Sequence, residues 1–301
     1  MDVWILFTLL ACSIQALRTV LQKSMVSQTS VIAATYVRFL FGLPIIVFSF
    51  CAYIFYNNSD LPSIQISFIA YASVGGLAQL LGNGFLLYLL SFSNFTVGTT
   101  YTKTEVIQTA FIGYIVLGEL VSTLSFFGII LAFFGIAMLA SQSGSVTIKN
   151  NVSTPHYKAA ICGILVGTFY ALAAVFFRSA MLSLDSNDLF MTSLATLAWV
   201  TFIQVFLMTM YSLYSSQALW AEVMNNKLLG LWIALTGITA SACWYIAFNI
   251  QKAAYVMALG QFELVVVFLV STFWLKERMS ARQIIGVSLT VIGIIAVVLT
   301  S

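Results

Sequence analysis

Five charged residues stand inside otherwise apolar runs: Arg18, Arg38, Lys103, Glu105 and Glu263. A charge at the centre of a bilayer costs about 2.5–3.5 kcal/mol on insertion scales, so five facing lipid would oppose insertion by on the order of 10 kcal/mol. They must face protein or a wet cavity. There the arginines can clamp an anionic group through their forked N–H donors. A carboxyl group in a low-dielectric cavity can take up a proton and release it when another charge arrives. This is the chemistry of moving a charged solute, with no bond made or broken.

The neighbours of these charges follow helical spacing. Gln15, Arg18, Thr19 and Gln22 stand at i, i+3, i+4 and i+7, one face of one helix. Two readings fit that stripe: a hydrophilic wall of a path with Arg18 drawing an anion, or a polar seam bonded to neighbouring helices. Glu105 shares its face with Tyr101, Gln108 and Thr109. It is a candidate proton carrier or one half of a structural pair with Arg38 or Lys103. Arg38 can meet a carboxylate on a substrate, pair Glu105, or cap helix ends. Lys103, two residues from Glu105, falls on a nearly opposite face. Gln79 and Asn83 lie one turn apart beside Gly75, Gly76, Gly82 and Gly84, small residues that allow close backbone approach. Trp244, Tyr245 and Asn249 crowd another run, and an aromatic wall suits apolar or cationic solutes. Against that, any one tryptophan serves as well in an interfacial belt or in packing. Glu119 and Glu277 follow apolar runs and read as caps or turn ion pairs.

Other chemistries lack their residues. No phosphate-cradling glycine loop is present, so ATP hydrolysis is not expected. The single histidine, His156, lies in a polar stretch, which removes a Ser/His/Asp set. One histidine and four scattered cysteines (Cys12, Cys51, Cys162 and Cys243) make no metal cluster, and the cysteines read as buried hydrophobes rather than disulfides. No cofactor is expected.

The elements that must position these residues follow from composition. The 301 residues are 61% hydrophobic and 7% charged, with a mean hydropathy of +1.03. A soluble domain carries about 25% charged residues, so a soluble enzyme is excluded. A net charge of +3 is too thin for a nucleic-acid binder. A spanning helix needs about 20 apolar residues. Ten such runs are expected, at 3–22, 31–55, 68–90, 97–117, 124–140, 159–181, 189–214, 228–248, 255–275 and 284–300. These are continuous rather than alternating runs, which excludes a β-barrel. The N-terminus lacks the positive charge and cleavage site of a signal peptide. Lys23, Lys149, Lys158, Lys227, Lys276, Arg278 and Arg282 fall near odd-to-even connections, against Arg178 and Lys252 near even-to-odd ones. The asymmetry predicts cytoplasmic odd-to-even loops and both termini outside.

The chain also matches itself. Leu117-Gly118-Glu119 falls on Leu275-Lys276-Glu277 at an offset of 158, and Glu105 then falls on Glu263. Nearer the N-terminus the offset is 155, placing Ala16-Leu17 on Ala171-Leu172 and Lys23-Ser24 on Arg178-Ser179. At these offsets Gln15, Arg18, Thr19 and Gln22 fall on Tyr170, Ala173, Ala174 and Phe177, so the polar stripe belongs to the first half alone. Each half then holds five spans, residues 1–140 and 158–301 joined by a linker at 141–157. An odd number per half inverts one against the other, a design shared by many secondary transporters.

The ordered set of Lys23, Val37-Arg38-Phe39-Leu40, Leu87-Tyr88-Leu89-Leu90, Glu105, Leu117-Gly118-Glu119 and Leu275-Lys276-Glu277 resembles the drug/metabolite transporter superfamily, of the EamA-like kind with ten helices. Three departures stand out. Ser13-Ile14-Gln15-Ala16 occupies the place where such proteins often carry Trp-Gly. Val106 and Leu264 replace the proline that commonly follows the family glutamate. Ser193 stands opposite Arg38 in the second half. The resemblance implies a substrate cavity between the halves, alternating access, and export of small metabolites or drugs. It also implies cytoplasmic termini, opposite to the charge count.

The expected protein is therefore an all-α, multi-pass membrane protein of ten helices in two inverted repeats, seated in a bacterial inner membrane. It would act as a monomer or homodimer on a small solute, with a coupling proton as a further partner and no nucleic acid. Mixed signs in the spans favour an amino-acid-like zwitterion. The alternatives are a multidrug exporter of lipophilic cations, or a channel or scaffold.

Overall fold

A computed structural model describes residues 2–58, 61–92, 101–141, 156–214, 219–263, 265 and 281–300. Among these residues all regular structure is helical. The helices are α1 (Val3–Val26), α2 (Val31–Asn57), α3 (Ile66–Phe92), α4 (Glu105–Leu117), α5 (Thr123–Ser141) and α6 (His156–Leu182). They continue with α7 (Leu189–Tyr214), α8 (Leu219–Asn225), α9 (Lys227–Ile250), α10 (Ala253–Gly260) and α11 (Ala281–Leu299). Six of them, α1, α2, α3, α6, α7 and α9, are long and apolar enough to cross a membrane.

The burial pattern inverts that of a water-soluble protein. Arg18, Gln22, Arg38, Asn83, Lys103, Glu105, Gln204 and Gln261 are buried, while Phe48, Phe55, Phe111, Phe127, Phe134 and Trp232 are exposed. Exposed apolar surface on this scale belongs against lipid. Hydroxyls on the spans close onto their own helices: Thr8 donates to the Trp4 carbonyl, Thr109 to Glu105 and Thr201 to Leu197, each at 2.7 Å. Such bonds satisfy polar atoms where water is absent.

The most extensive contacts all join one half of the chain to the other: α3 with α6, α5 with α11, α1 with α9, α2 with α9 and α7, and α4 with α6. The pairings come in matched sets. Exchanging the halves by the offset of 155 turns α3–α6 into α9–α1 and α2–α9 into α7–α3, which is also in contact. Lipid tails are as apolar as leucine, so close packing rather than hydrophobicity holds such helices together. Glycine supplies it on α5 and α11: a Cβ at Gly128 would stand 2.7 Å from the Gly293 carbonyl.

The structure departs from the sequence reading in its helix bounds and at one cysteine. Spans four and nine are interrupted near Lys103–Thr104 and at Gln261, so α4 and α10 are partial helices. Ser141 ends α5 and His156 opens α6, and residues 142–155 of the expected linker lie outside the described set. The short helix α8 was not expected; its apolar Leu219 and Val223 are buried one turn apart under an exposed Trp220. Cys51 is exposed rather than buried, on the apolar outside of α2.

Candidate functional site

α2 carries Arg38, and five hydrogen bonds fix that helix in place. Ser30 caps it by accepting from the Ala33 N–H at 3.2 Å, and its own N–H and hydroxyl donate to Glu222 of α8 at 2.8 and 2.7 Å. Gln22 of α1 donates to the Ala34 carbonyl at 3.0 Å. Tyr36 and Thr209 of α7 share a hydroxyl bond of 2.7 Å. Two turns inward from the cap, the Arg38 side chain crosses α9 at Gly237. A Cβ there would lie 3.1 Å from both Cγ and Nε of the arginine. Beyond that groove its Nη2 donates to Ser241 at 3.0 Å and its Nη1 to Asn83 Oδ1 at 3.3 Å. Both acceptors are neutral.

Arg18 is equally buried, and its Nε has no hydrogen-bond partner. The Tyr170 hydroxyl lies beside it, and Arg18 and Arg38 are near enough to repel one another. Burial of like charges is expensive unless an anion joins them.

The interruptions of spans four and nine form the other end of the site. Lys103 sits in the turn before α4 and Glu105 opens the helix, while Gln261 follows the last residue of α10. Lys103 Nζ lies 4.0 Å from Glu263 Oε2. Gln261 Nε2 donates to Glu105 Oε1 at 3.3 Å and to the Met257 carbonyl at 3.1 Å. α6 seals the first interruption with Gly163 and Gly167. A Cβ at Gly167 would stand 2.8 Å from the Thr104 hydroxyl and 3.1 Å from the Glu105 nitrogen.

Between these ends lies a cavity of about 60 Å³, room for about four waters at roughly 10–15 Å³ each. Its walls include Gln15, Arg18, Arg38, Gln79, Lys103, Glu105, Trp244, Tyr245 and Glu263. Trp244 Nε1 donates to Gln15 Oε1 at 3.0 Å, and its ring fills the space above Gly260, 2.6 Å from where a Cβ would be. Tyr245 stacks on Phe177 with ring centroids 4.5 Å apart, and its hydroxyl has no partner. Gln79 accepts from Gln204 of α7 at 2.9 Å.

Four expected residues lie off the cavity wall and hold the frame instead. Gln22 ties α1 to α2, and Asn83 holds Arg38. Gln108 donates to the Thr104 hydroxyl at 3.2 Å, and Tyr101 packs against Gly163. Lys103 and Glu105 do not point to opposite faces: the turn at 103–104 breaks the helical phase and both line the same cavity. Glu105 takes an amide rather than Arg38 or Lys103 as its hydrogen-bond partner. Sequence reasoning missed Tyr170 and Ser241 as wall residues, while Gln261, the repeat partner of Lys103, lines the cavity with it. The available signal for Tyr170 was the repeat itself, since it occupies Gln15's place.

At the α4–α5 turn, Gly118 adopts φ 65°, a left-handed cap that favours glycine. The following Glu119 accepts from Arg178 Nε at 2.7 Å. Arg178 also donates to the carbonyls of Asn249 at 3.2 Å and Gln251 at 2.8 Å, where α9 ends.

An apolar-coated helical protein enclosing a charged cavity fits the class of membrane carriers of small solutes. Residues 2–141, and again 157–299, match the model of the EamA-like transporter family, and the chain belongs to that family. Its members are transporters, not enzymes. A solved structure titled "Crystal structure of protein" shares the fold with a TM-score of 0.65 at 14% identity, covering 98% of this chain and 99% of that one. No curated protein matches.

Proposed function

We propose that this protein is a secondary transporter that exports amino-acid-like zwitterions by alternating access between two inverted five-helix repeats, residues 1–140 and 158–301, joined at 141–157. The observation that carries the reading is the separation of charge across one cavity shared by both halves. Arg18 and Arg38 meet only neutral groups at one end, and Glu105 and Glu263 stand at the other. A carboxylate fits the first end and an ammonium the second. The interrupted helices support alternating access, because carriers bind substrate where half-helices expose backbone. The matched pairings between halves support the inverted repeat. Energy comes from an ion gradient, with Glu105 as the carrier of a coupling proton. The repeats complete the cavity within one chain, as a monomer or in a homodimer, in a bacterial inner membrane.

Lipophilic-cation export has one observation in its favour, the stacked pairs Phe177–Tyr245 and Trp244–Phe248 on the cavity wall. Two buried guanidiniums oppose a cationic guest, so the zwitterion is preferred. The test is counterflow in proteoliposomes loaded in turn with neutral amino acids, polyamines and lipophilic cations. Saturable exchange of amino acids, lost in Arg38→Ala, supports the proposal. Exchange restricted to lipophilic cations overturns it, and unsaturable current without counterflow indicates a channel.

A further inference from the structure

We infer that the solute is a net anion, an acidic amino acid bearing two carboxylates and one ammonium. The inference rests on the zwitterion-carrier reading and narrows it. Among the described residues, the cavity wall carries three cations (Arg18, Arg38 and Lys103) and two carboxylates, Glu105 and Glu263. A guanidinium stays protonated in a protein. Lys103 and Glu263 pair and cancel. Three cations against two carboxylates leave one positive charge in excess, and with a proton on Glu105 the excess is two. A neutral zwitterion leaves either excess in place. A solute of net charge −1 cancels it when Glu105 is ionised and halves it when Glu105 is protonated.

The geometry gives each group of that solute a place. Arg38 uses one donor of Nη1 on Asn83 and one of Nη2 on Ser241. Its Nε lies in the Gly237 groove, so of its five N–H groups the second donor on each terminal nitrogen remains for a guest. Arg18, whose Nε has no hydrogen-bond partner, lines the same cavity from α1. Two guanidiniums on different helices accept two carboxylates better than one, since a single carboxylate satisfies one fork bidentately and leaves the other bare. Gln261 meets Glu105 at Oε1, and the carboxylate keeps capacity for an ammonium. Tyr170 lines the cavity together with Arg18, Arg38 and Glu105, so both ends belong to one cavity. The hydroxyls of Tyr170 and Tyr245 are buried without a hydrogen-bond acceptor, and both residues line the same cavity. Two carboxylates would use those donors, whereas an apolar side chain would bury them unsatisfied.

The experiment is counterflow by the full-length protein in proteoliposomes with four radiolabelled probes: aspartate, glutamate, asparagine and glutamine. Each acid differs from its amide by one charge at nearly constant shape. The expected result is half-saturation at least about tenfold lower for the acids, with that preference lost in Arg18→Gln and in Arg38→Gln. Arg38→Lys, which keeps the charge, retains a preference for the acids and covers the case in which Arg38→Gln does not fold. Amides exchanged as well as or better than acids overturn the anion inference and leave the zwitterion carrier standing. Exchange of lipophilic cations with none of the four probes, or exchange of nothing by protein that is folded by its thermal transition, overturns both.

Discussion

Lys103 Nζ lies 4.0 Å from Glu263 Oε2, and Gln261 Nε2 lies 3.3 Å from Glu105 Oε1. Positions 103 and 261 correspond at the offset of 158, as do 105 and 263. One contact is thus made twice, each half offering its acid to the other half's residue two places before its own acid. The two copies differ in charge. Lysine neutralises Glu263, while an amide only hydrogen-bonds Glu105. A symmetric scaffold therefore holds two carboxylates in unlike surroundings, which is how paired acids come to serve separate roles.

The charged copy is a folding element. Glu263→Gln leaves Lys103 buried without its ion-pair partner. Breaking a buried pair costs about 3–5 kcal/mol, and the partial exposure of both side chains places this one at or below the low end. The expected outcome is a thermal transition lowered by roughly 5–10 °C, most of it restored in the double variant Lys103→Gln/Glu263→Gln. Differential scanning fluorimetry in detergent checks it, and equal loss in the single and double variants would refute the pairing.

Glu105, by contrast, is free of a lysine partner of its own, and it is the acid proposed to carry the coupling proton. Glu105→Gln keeps the shape and the bond to Gln261 but cannot exchange a proton. Wild-type transport in proteoliposomes is expected to respond at least about threefold to an imposed pH gradient. The variant should retain exchange without a gradient and lose that response. A response that survives in Glu105→Gln removes it as the coupling site.

Gly237 offers a test of Arg38 that leaves the arginine in place. A methyl group added there would meet Arg38 Cγ and Nε at 3.1 Å, tight enough to push the side chain by a few tenths of an ångström. A misplacement of that order weakens a bidentate site more than it weakens the fold. Gly237→Ala is expected to raise half-saturation for substrate about five- to tenfold while the thermal transition moves by under about 3 °C. Isothermal counterflow and fluorimetry on the same preparation separate the two effects.

The charged part of this site could be read before the structure because charge in an apolar run has few innocent explanations. Arg18, Arg38, Lys103, Glu105 and Glu263 all line the cavity. The interruption at 103–104 could not be read, since neither proline nor glycine marks it; glycines on another helix, Gly163 and Gly167, make room for it. That is why Lys103 and Glu105 looked opposed. Tyr170 was overlooked for a different reason. Thirteen tyrosines in so apolar a chain mostly serve packing and interfaces, and only the repeat equivalence with Gln15 distinguishes this one. Gln22 and Asn83 share the spacing of cavity residues yet bond to backbone and to Arg38, because polar atoms in lipid seek any partner within reach.

Arg178 joins three elements where α4, α6 and α9 end together. Its Nε meets Glu119 at 2.7 Å, and its Nη1 meets the carbonyls of Asn249 and Gln251 at 3.2 and 2.8 Å. Those carbonyls close α9 and have lost their intrahelical donors, so the guanidinium satisfies groups that would otherwise stay bare. Glu119 sits directly after Gly118, whose left-handed turn aims the carboxylate back toward α6. Arg178→Gln removes the charge and most of these bonds at once. The expected loss is about 2–4 kcal/mol, read as a lower thermal transition. Arg178→Lys should recover only part of it, since one ammonium reaches Glu119 or the carbonyls but lacks the planar fork to hold both. Recovery to wild-type stability in the lysine variant would show that charge alone, and not the forked geometry, holds the end of α9.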